Sequence, residues 1–176
     1  MKSRNLSATI QQLFDGVDTG GPRRGDLVTS AKSAASYLIQ LSSKEKENDL
    51  TNLKLQKLLF YAQAEHLNRT GRPFFEDEIE AWTYGPVISE IYHWLKPCGS
   101  YPVTIFDVQA DAEGLNDEER EFLDVIWECY GKFSPGYLVS KTHSPDSPWR
   151  QVFKERDNAV IPTSLIKNTE LAVHWQ

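Results

Sequence analysis

Between residues 51 and 86 the apolar pattern changes period. Leu55, Leu58, Leu59, Ala62 and Leu67 recur at helical spacing, and Phe60, Tyr61 and Ala64 widen the stripe. A helix apolar over so much of its circumference belongs at the middle of a domain. Thr51 or Asn52 caps its start, and Gly71, followed by Pro73, is placed to end it in the left-handed conformation. Residues 79–83 then alternate with period two, as a short strand does. Pro86 is expected to open the next helix at its first turn, with Val87, Ile88, Ile91, Tyr92 and Leu95 inside and Pro97 and Gly99 as the stop.

The flanking regions carry weaker versions of the same signals. Asp26 is an expected cap for a helix over 27–41, where Leu27, Ala31, Ala34, Ala35, Leu38 and Leu41 form a smooth face that lets a neighbour approach closely. Residues 42–49 read as a charged, solvated connector, and 100–115 as loop with a small extended piece at 101–108. Asn116 and Glu119 have the spacing of a capping box ahead of the stripe Phe122, Val125, Ile126 and Cys129. Ser134-Pro135 and Ser147-Pro148 each open a helix, residues 159–161 suggest a short strand, and Pro162 begins a last helix. The sum is a mainly α, compact single-domain fold of six to seven helices with one or two short β-strands. Residues 1–25 stand apart as an N-terminal arm, partly flexible because Gly16, Gly20, Gly21, Pro22 and Gly25 crowd its second half. The arm's Leu6, Ile10, Leu13 and Phe14 fit one face of a short helix.

Composition narrows the functional classes. At 176 residues, with 40% hydrophobic and 25% charged residues, the chain reads as a soluble globular protein able to bury a core. Its formal charge of -6 argues against a surface built for phosphate backbones, which needs clustered Lys and Arg. Two cysteines are too few for a disulfide scaffold and suit reduced thiols in a cytosol. The first residues lack the sustained apolar core and cleavage site of a signal peptide, and no apolar run reaches a membrane span. A cytoplasmic location is the expectation.

Candidate chemistry is sparse. His66, His93, His143 and His174 form no paired metal-binding motif, and no CxxC is present. His93 and Cys98 are separated by Pro97, and Cys129 lies on an apolar stripe. The carboxylates at Glu76, Asp77, Glu78 and Glu80 alternate with apolar positions, as on a solvated face, and those at 117–121 open a helix. The segment GVDTGGPRRG lacks the lysine and hydroxyl of a phosphate loop. No catalytic set, metal or cofactor is therefore expected. Trp82, Tyr84, Trp94 and Trp149 support two readings, core packing or an anchor cluster for a protein partner. Tyr84-Gly85-Pro86 favours the second, because a rigid turn presents an aromatic ring at little ordering cost.

The stretch TNLKLQKLLFYAQA at 51–64 closely resembles the opening motif of the Panacea antitoxin domain, the family that includes SocA-like and phage genetic-element proteins. GRPF at 71–74, EIEAWTYGPV at 78–87, Tyr130-Gly131, Leu138, Thr142-His143 and Pro148-Trp149 follow in the family's order. The resemblance covers about residues 27–170, within a domain drawn as 26–176. It implies a compact helical fold, no catalytic set, and neutralisation of a cognate toxin by direct binding. One branch of the family instead tethers its toxin to a protease. The arm here is too short for the DNA-binding module that some members carry. The expected partner-binding residues are Trp82, Tyr84, Gly85 and Pro86, with Lys57 and Tyr61 supporting them from the preceding helix. The partner would be a cognate toxin and, in the adaptor alternative, a protease. Alternatives of another class are a small hydrolase using His143 or Cys98 and a nucleic-acid-binding regulator.

Overall fold

The central helix is the organiser of the fold. In the computed structural model, which describes residues 8, 11–13, 15, 29–108, 112–154 and 158–172, Thr51 caps it by accepting a hydrogen bond from the Lys54 N–H. It ends at Gly71, whose φ of 75° is open to a residue without a Cβ. The elements in order are α1 (Ala31–Ser42), α2 (Asn52–Thr70), β1 (Glu80–Trp82), β2 (Gly85–Val87), α3 (Ser89–Leu95), a 3-10 turn (Lys96–Cys98), α4 (Ile105–Val108), α5 (Asp117–Tyr130), α6 (Pro135–Thr142), α7 (Pro148–Val152) and α8 (Thr163–Ile166). Helix α2 packs against α1, α3, α5, α6, α8 and β2. The fold is mainly α, with one two-stranded antiparallel sheet among the described residues.

Burial on all sides leaves α2 with polar side chains inside the protein, and these join the loops to the core. Gln63 acts as a strand partner for the chain after Pro73: its Nε2 donates to the Phe75 carbonyl at 2.8 Å and its Oε1 accepts from the Phe74 N–H at 2.7 Å. Gln56 accepts from the Ile88 N–H at 2.9 Å and donates to Asn52, which donates in turn to the Tyr92 carbonyl. Glu65, fully buried, accepts from the Tyr130 hydroxyl at 2.7 Å and from Arg69 Nε at 3.1 Å. Each bond satisfies a group that would cost about 1–3 kcal/mol if buried alone. The apolar positions Leu55, Leu58, Leu59 and Leu67 lie in the same core as Leu38, Ile91 and Ile126.

Three local expectations change. Pro86 lies in β2 rather than opening a helix; α3 begins at Ser89, with Ile88 in the cap position. Proline is accommodated there because the missing N–H is on the side of β2 that faces away from β1. Residues 105–108 form the single helical turn α4 instead of an extended piece, since the Asp107 carboxylate accepts from both the N–H and the hydroxyl of Thr104. Helix α1 starts at Ala31 with Ser30 as its cap; Asp26 and the glycine-rich segment lie outside the described residues. The capping box of Asn116 and Glu119 is present at α5. From the arm, Gln11 accepts from Arg69 Nη1 at 3.1 Å and Leu13 packs on the core.

Candidate protein-interaction site at the hairpin

Strands β1 and β2 are joined by the two residues Thr83 and Tyr84, with Glu80 opposite Val87, Ala81 opposite Pro86 and Trp82 opposite Gly85. The turn closes tightly because Gly85 adopts φ 101°. A Cβ at Gly85 would lie 2.8 Å from both Lys57 Cε and Thr142 Oγ1, so α2 and α6 press directly on the backbone there. The outward carbonyl of Pro86 accepts from Lys57 Nζ at 2.8 Å. On the β1 side, the Trp82 carbonyl accepts from Trp149 Nε1 at 2.7 Å. Trp149 is itself buried, stacked flat on His143 with centroids 3.7 Å apart and on Phe153 at 4.5 Å. The hairpin base is thus fixed from α2, α6 and α7 together.

The tip carries the exposed chemistry. Tyr84 is 68% exposed. Trp82 is half-buried; its indole N–H donates to Glu80 Oε2 at 2.6 Å, and its ring packs against Tyr92 at 4.8 Å and His93 at 6.3 Å. An aromatic surface on a clamped turn suits binding with little loss of conformational freedom.

Electrostatics beneath the hairpin are unusual. Lys57 is completely buried, and burial lowers its pKa to about 7. His143 is also held below its ordinary value, first by burial and then by the nearby charges of Lys57 and Arg150. Its Nε2 is buried and lacks a hydrogen-bond partner among the described residues. The Lys57 amine is sealed from solvent, so its role in this geometry is to hold the hairpin. No group of three or more His, Cys, Asp or Glu side chains among the described residues is arranged to hold a metal ion. Cys98 and Cys129 are free thiols, both with pKa raised mainly by burial, the latter to about 12.

Of the six residues expected at the site, Lys57, Gly85 and Pro86 meet in one buried cluster, Trp82 faces Gly85 across the strand pair, and Tyr84 points outward. Tyr61 is buried one turn further along α2, stacked on Tyr130 at 4.7 Å and edge-on to Phe60. Trp94 sits apart, half-buried under Lys32. Sequence reasoning missed Thr142 as the wall against Gly85 and Glu80 as the partner of Trp82. Glu80 has a sequence signal, since residues two apart share one face of a strand; Thr142, from α6, has no local one and enters only through the Thr142-His143 pair of the family pattern.

These features coincide with known sequences. No solved structure matches the chain. Antitoxin SocA of Caulobacter vibrioides (strain NA1000 / CB15N) is 29% identical over 109 residues, covering 57% of this chain and 58% of the relative. The chain therefore spans less than two thirds of that relative's length. The family profile described as "Antitoxin SocA-like, Panacea domain" matches residues 55–150, from the apolar face of α2, through the hairpin, to Arg150 in α7. With more than half of its length inside that match, the chain belongs to the SocA-like antitoxin family with the Panacea domain.

Proposed function

We propose that this chain is an antitoxin that neutralises a cognate toxin by binding it directly, in the cytoplasm and without catalysis, through a surface centred on Tyr84. The observation that carries the reading is the contrast within the hairpin. Its tip presents Tyr84 at 68% exposure, while its base is clamped by Lys57 and Trp149. Trp82 supplies the half-buried rim. Gly85, Pro86 and Lys57 hold the tip in place, and Tyr61 stiffens α2 beneath it. Residues 26–176 act as one binding unit and residues 1–25 as an appended arm, which docks on that unit where Arg69 Nη1 donates to Gln11 and where Leu13 packs on the core. The antitoxin name of the Caulobacter relative and the family membership support the class of activity.

The test is co-expression with the product of the neighbouring gene. The intact chain restores growth, and Tyr84→Ala loses rescue and weakens co-purification at least tenfold while remaining folded. Unchanged rescue by Tyr84→Ala, or a neighbour that is not toxic, overturns the reading. Toxin levels are followed in the same cells: direct inhibition leaves them intact, whereas protease-dependent loss means that the chain delivers the toxin for destruction.

A further inference from the structure

The sheet extends beyond its two named strands. Residues 159–161 lie antiparallel to β1, with the Ala81 N–H donating to the Ala159 carbonyl at 2.8 Å and the Ile161 N–H to the Ile79 carbonyl at 2.7 Å. Glu80 and Val160 are the residues opposite each other between these two bonds. In that register the N–H and C=O of Val160 point away from β1. Neither has a partner among the described residues, and Val160 is 42% exposed. The opposite margin is closed: Pro86 has no N–H, its carbonyl is held by Lys57, and the Ile88 N–H is held by Gln56.

Beside the open margin is a hollow of about 180 Å³. Val160, Ile161 and Pro162 form one wall, Phe75 and Ile166 contribute buried apolar surface, and Glu76 and Glu78 stand exposed at its border. Asp77 also lines it, but its carboxylate is engaged by the Ala31 N–H at 3.0 Å. An extended segment paired with Val160 would run past this hollow. The apolar wall suits the methylene stem of a long side chain, and the two carboxylates suit a cation at its end. The chain's formal charge of -6 favours a basic partner in the same direction.

We propose that the margin at residues 159–161, with the hollow beside it, is a docking site for an extended basic segment of a partner protein, which adds a strand at Val160 and seats one Lys or Arg side chain between Glu76 and Glu78. Strand addition supplies main-chain hydrogen bonds, and the neighbouring pocket supplies specificity. The site is separate from the Tyr84 tip and does not depend on the partner being a toxin.

The test uses the full chain and two blocked five-residue peptides, acetyl-Thr-Val-Lys-Val-Thr-amide and its counterpart with Glu in place of Lys. Binding is followed by the amide resonances of the ¹⁵N-labelled protein. The Lys peptide is expected to shift Val160 and Ile161 saturably and to bind at least tenfold more tightly than the Glu peptide. Val160→Pro removes the outward N–H at an edge position where proline is tolerated, so it should keep the fold and abolish the shifts. Glu76→Gln with Glu78→Gln leaves the margin intact and should reduce the preference for Lys below threefold. The proposal is overturned if the two peptides bind equally, if Val160 does not respond, if the response survives in folded Val160→Pro, or if the double glutamine variant keeps the full preference. None of these outcomes bears on toxin rescue by the Tyr84 surface.

Discussion

Lys54 and Lys57 lie three residues apart on α2 and both are buried, yet they are held in different ways. Lys54 Nζ has a carboxylate and a carbonyl, Asp49 Oδ1 and the Gly131 carbonyl, each at 2.6 Å. Lys57 Nζ has the Pro86 carbonyl at 2.8 Å and no ion pair among the described residues. Asp49 is largely exposed, so the first lysine keeps a route from its charge to water. The second is closed in by β2 and α6, and its pKa falls to about 7. The same side chain on the same helix thus tethers a loop through an ion pair in one place and supports a hairpin as an amine whose charge burial disfavours in the other.

The strongest way to break the comparison is to push the hairpin off Lys57. Gly85→Val combines a φ of 101° with a Cβ at 2.8 Å from Lys57 and Thr142. It should destabilise the fold by about 3 kcal/mol or more, read from urea unfolding. Next in size is pH linkage. The folded Lys57 amine releases its proton near pH 7, whereas the unfolded one holds it to about pH 10.4. Between those values the unfolded state binds more protons, so stability rises with pH, by up to about 1.4 kcal/mol per unit. Cys129 acts with the opposite sign above about pH 9, because its folded thiol holds its proton to about 12 while the unfolded one does not. The clean measurement is therefore the stability of the intact protein minus that of Lys57→Met, followed from pH 7 to pH 9. It should gain about 2 kcal/mol, and a flat difference would mean that Lys57 is not desolvated.

A smaller effect sharpens the contrast at fixed pH. Lys54→Met leaves the Gly131 carbonyl without its donor and should cost about 2 kcal/mol at pH 7. Lys57→Met removes a desolvated amine along with the bond to Pro86 and should cost about 1 kcal/mol or less. If Lys57→Met is the more damaging of the two, the hairpin depends on a charged ammonium. Smallest of all, Tyr84→Ala should leave stability within about 0.5 kcal/mol, as for an exposed residue with no structural task. A thermal shift of several degrees would assign Tyr84 to the fold.

The helices were legible because their signals are local. Thr51, Asn116, Ser134 and Ser147 each cap the turn that follows, and Gly71 ends α2 within one residue of its last turn. Pro86 was misleading for the same reason: a proline favours the first turn of a helix as readily as the margin of a sheet. Only the distant amine of Lys57 and the pairing with Ala81 decide between them. The site was partly legible, since an aromatic residue before Gly-Pro reads as a presented turn, and Tyr84 does stand outside. The other polar residues of α2 were not. Lys57 is expected to support the hairpin, but Gln56, Gln63 and Glu65 only interrupt the apolar pattern in sequence, and the partners of the four, in chain order, lie 32, 29, 12 and 65 residues away. No pattern of nearby residues reports such pairings.

The chain from Glu65 through the Tyr130 hydroxyl to the Ala172 N–H, closed at 2.7 and 3.0 Å, has a consequence for synthesis. Helix α2 leaves the ribosome about a hundred residues ahead of Ala172, and its buried carboxylate cannot complete this relay until residue 172 has also emerged. A nascent chain stalled before that point carries an acidic group in a core that is not yet closed. The core around Glu65 would therefore reach its final stability only once residue 172 has been made, and removing residues 171 and 172 should be felt at the centre of the molecule rather than at its margin.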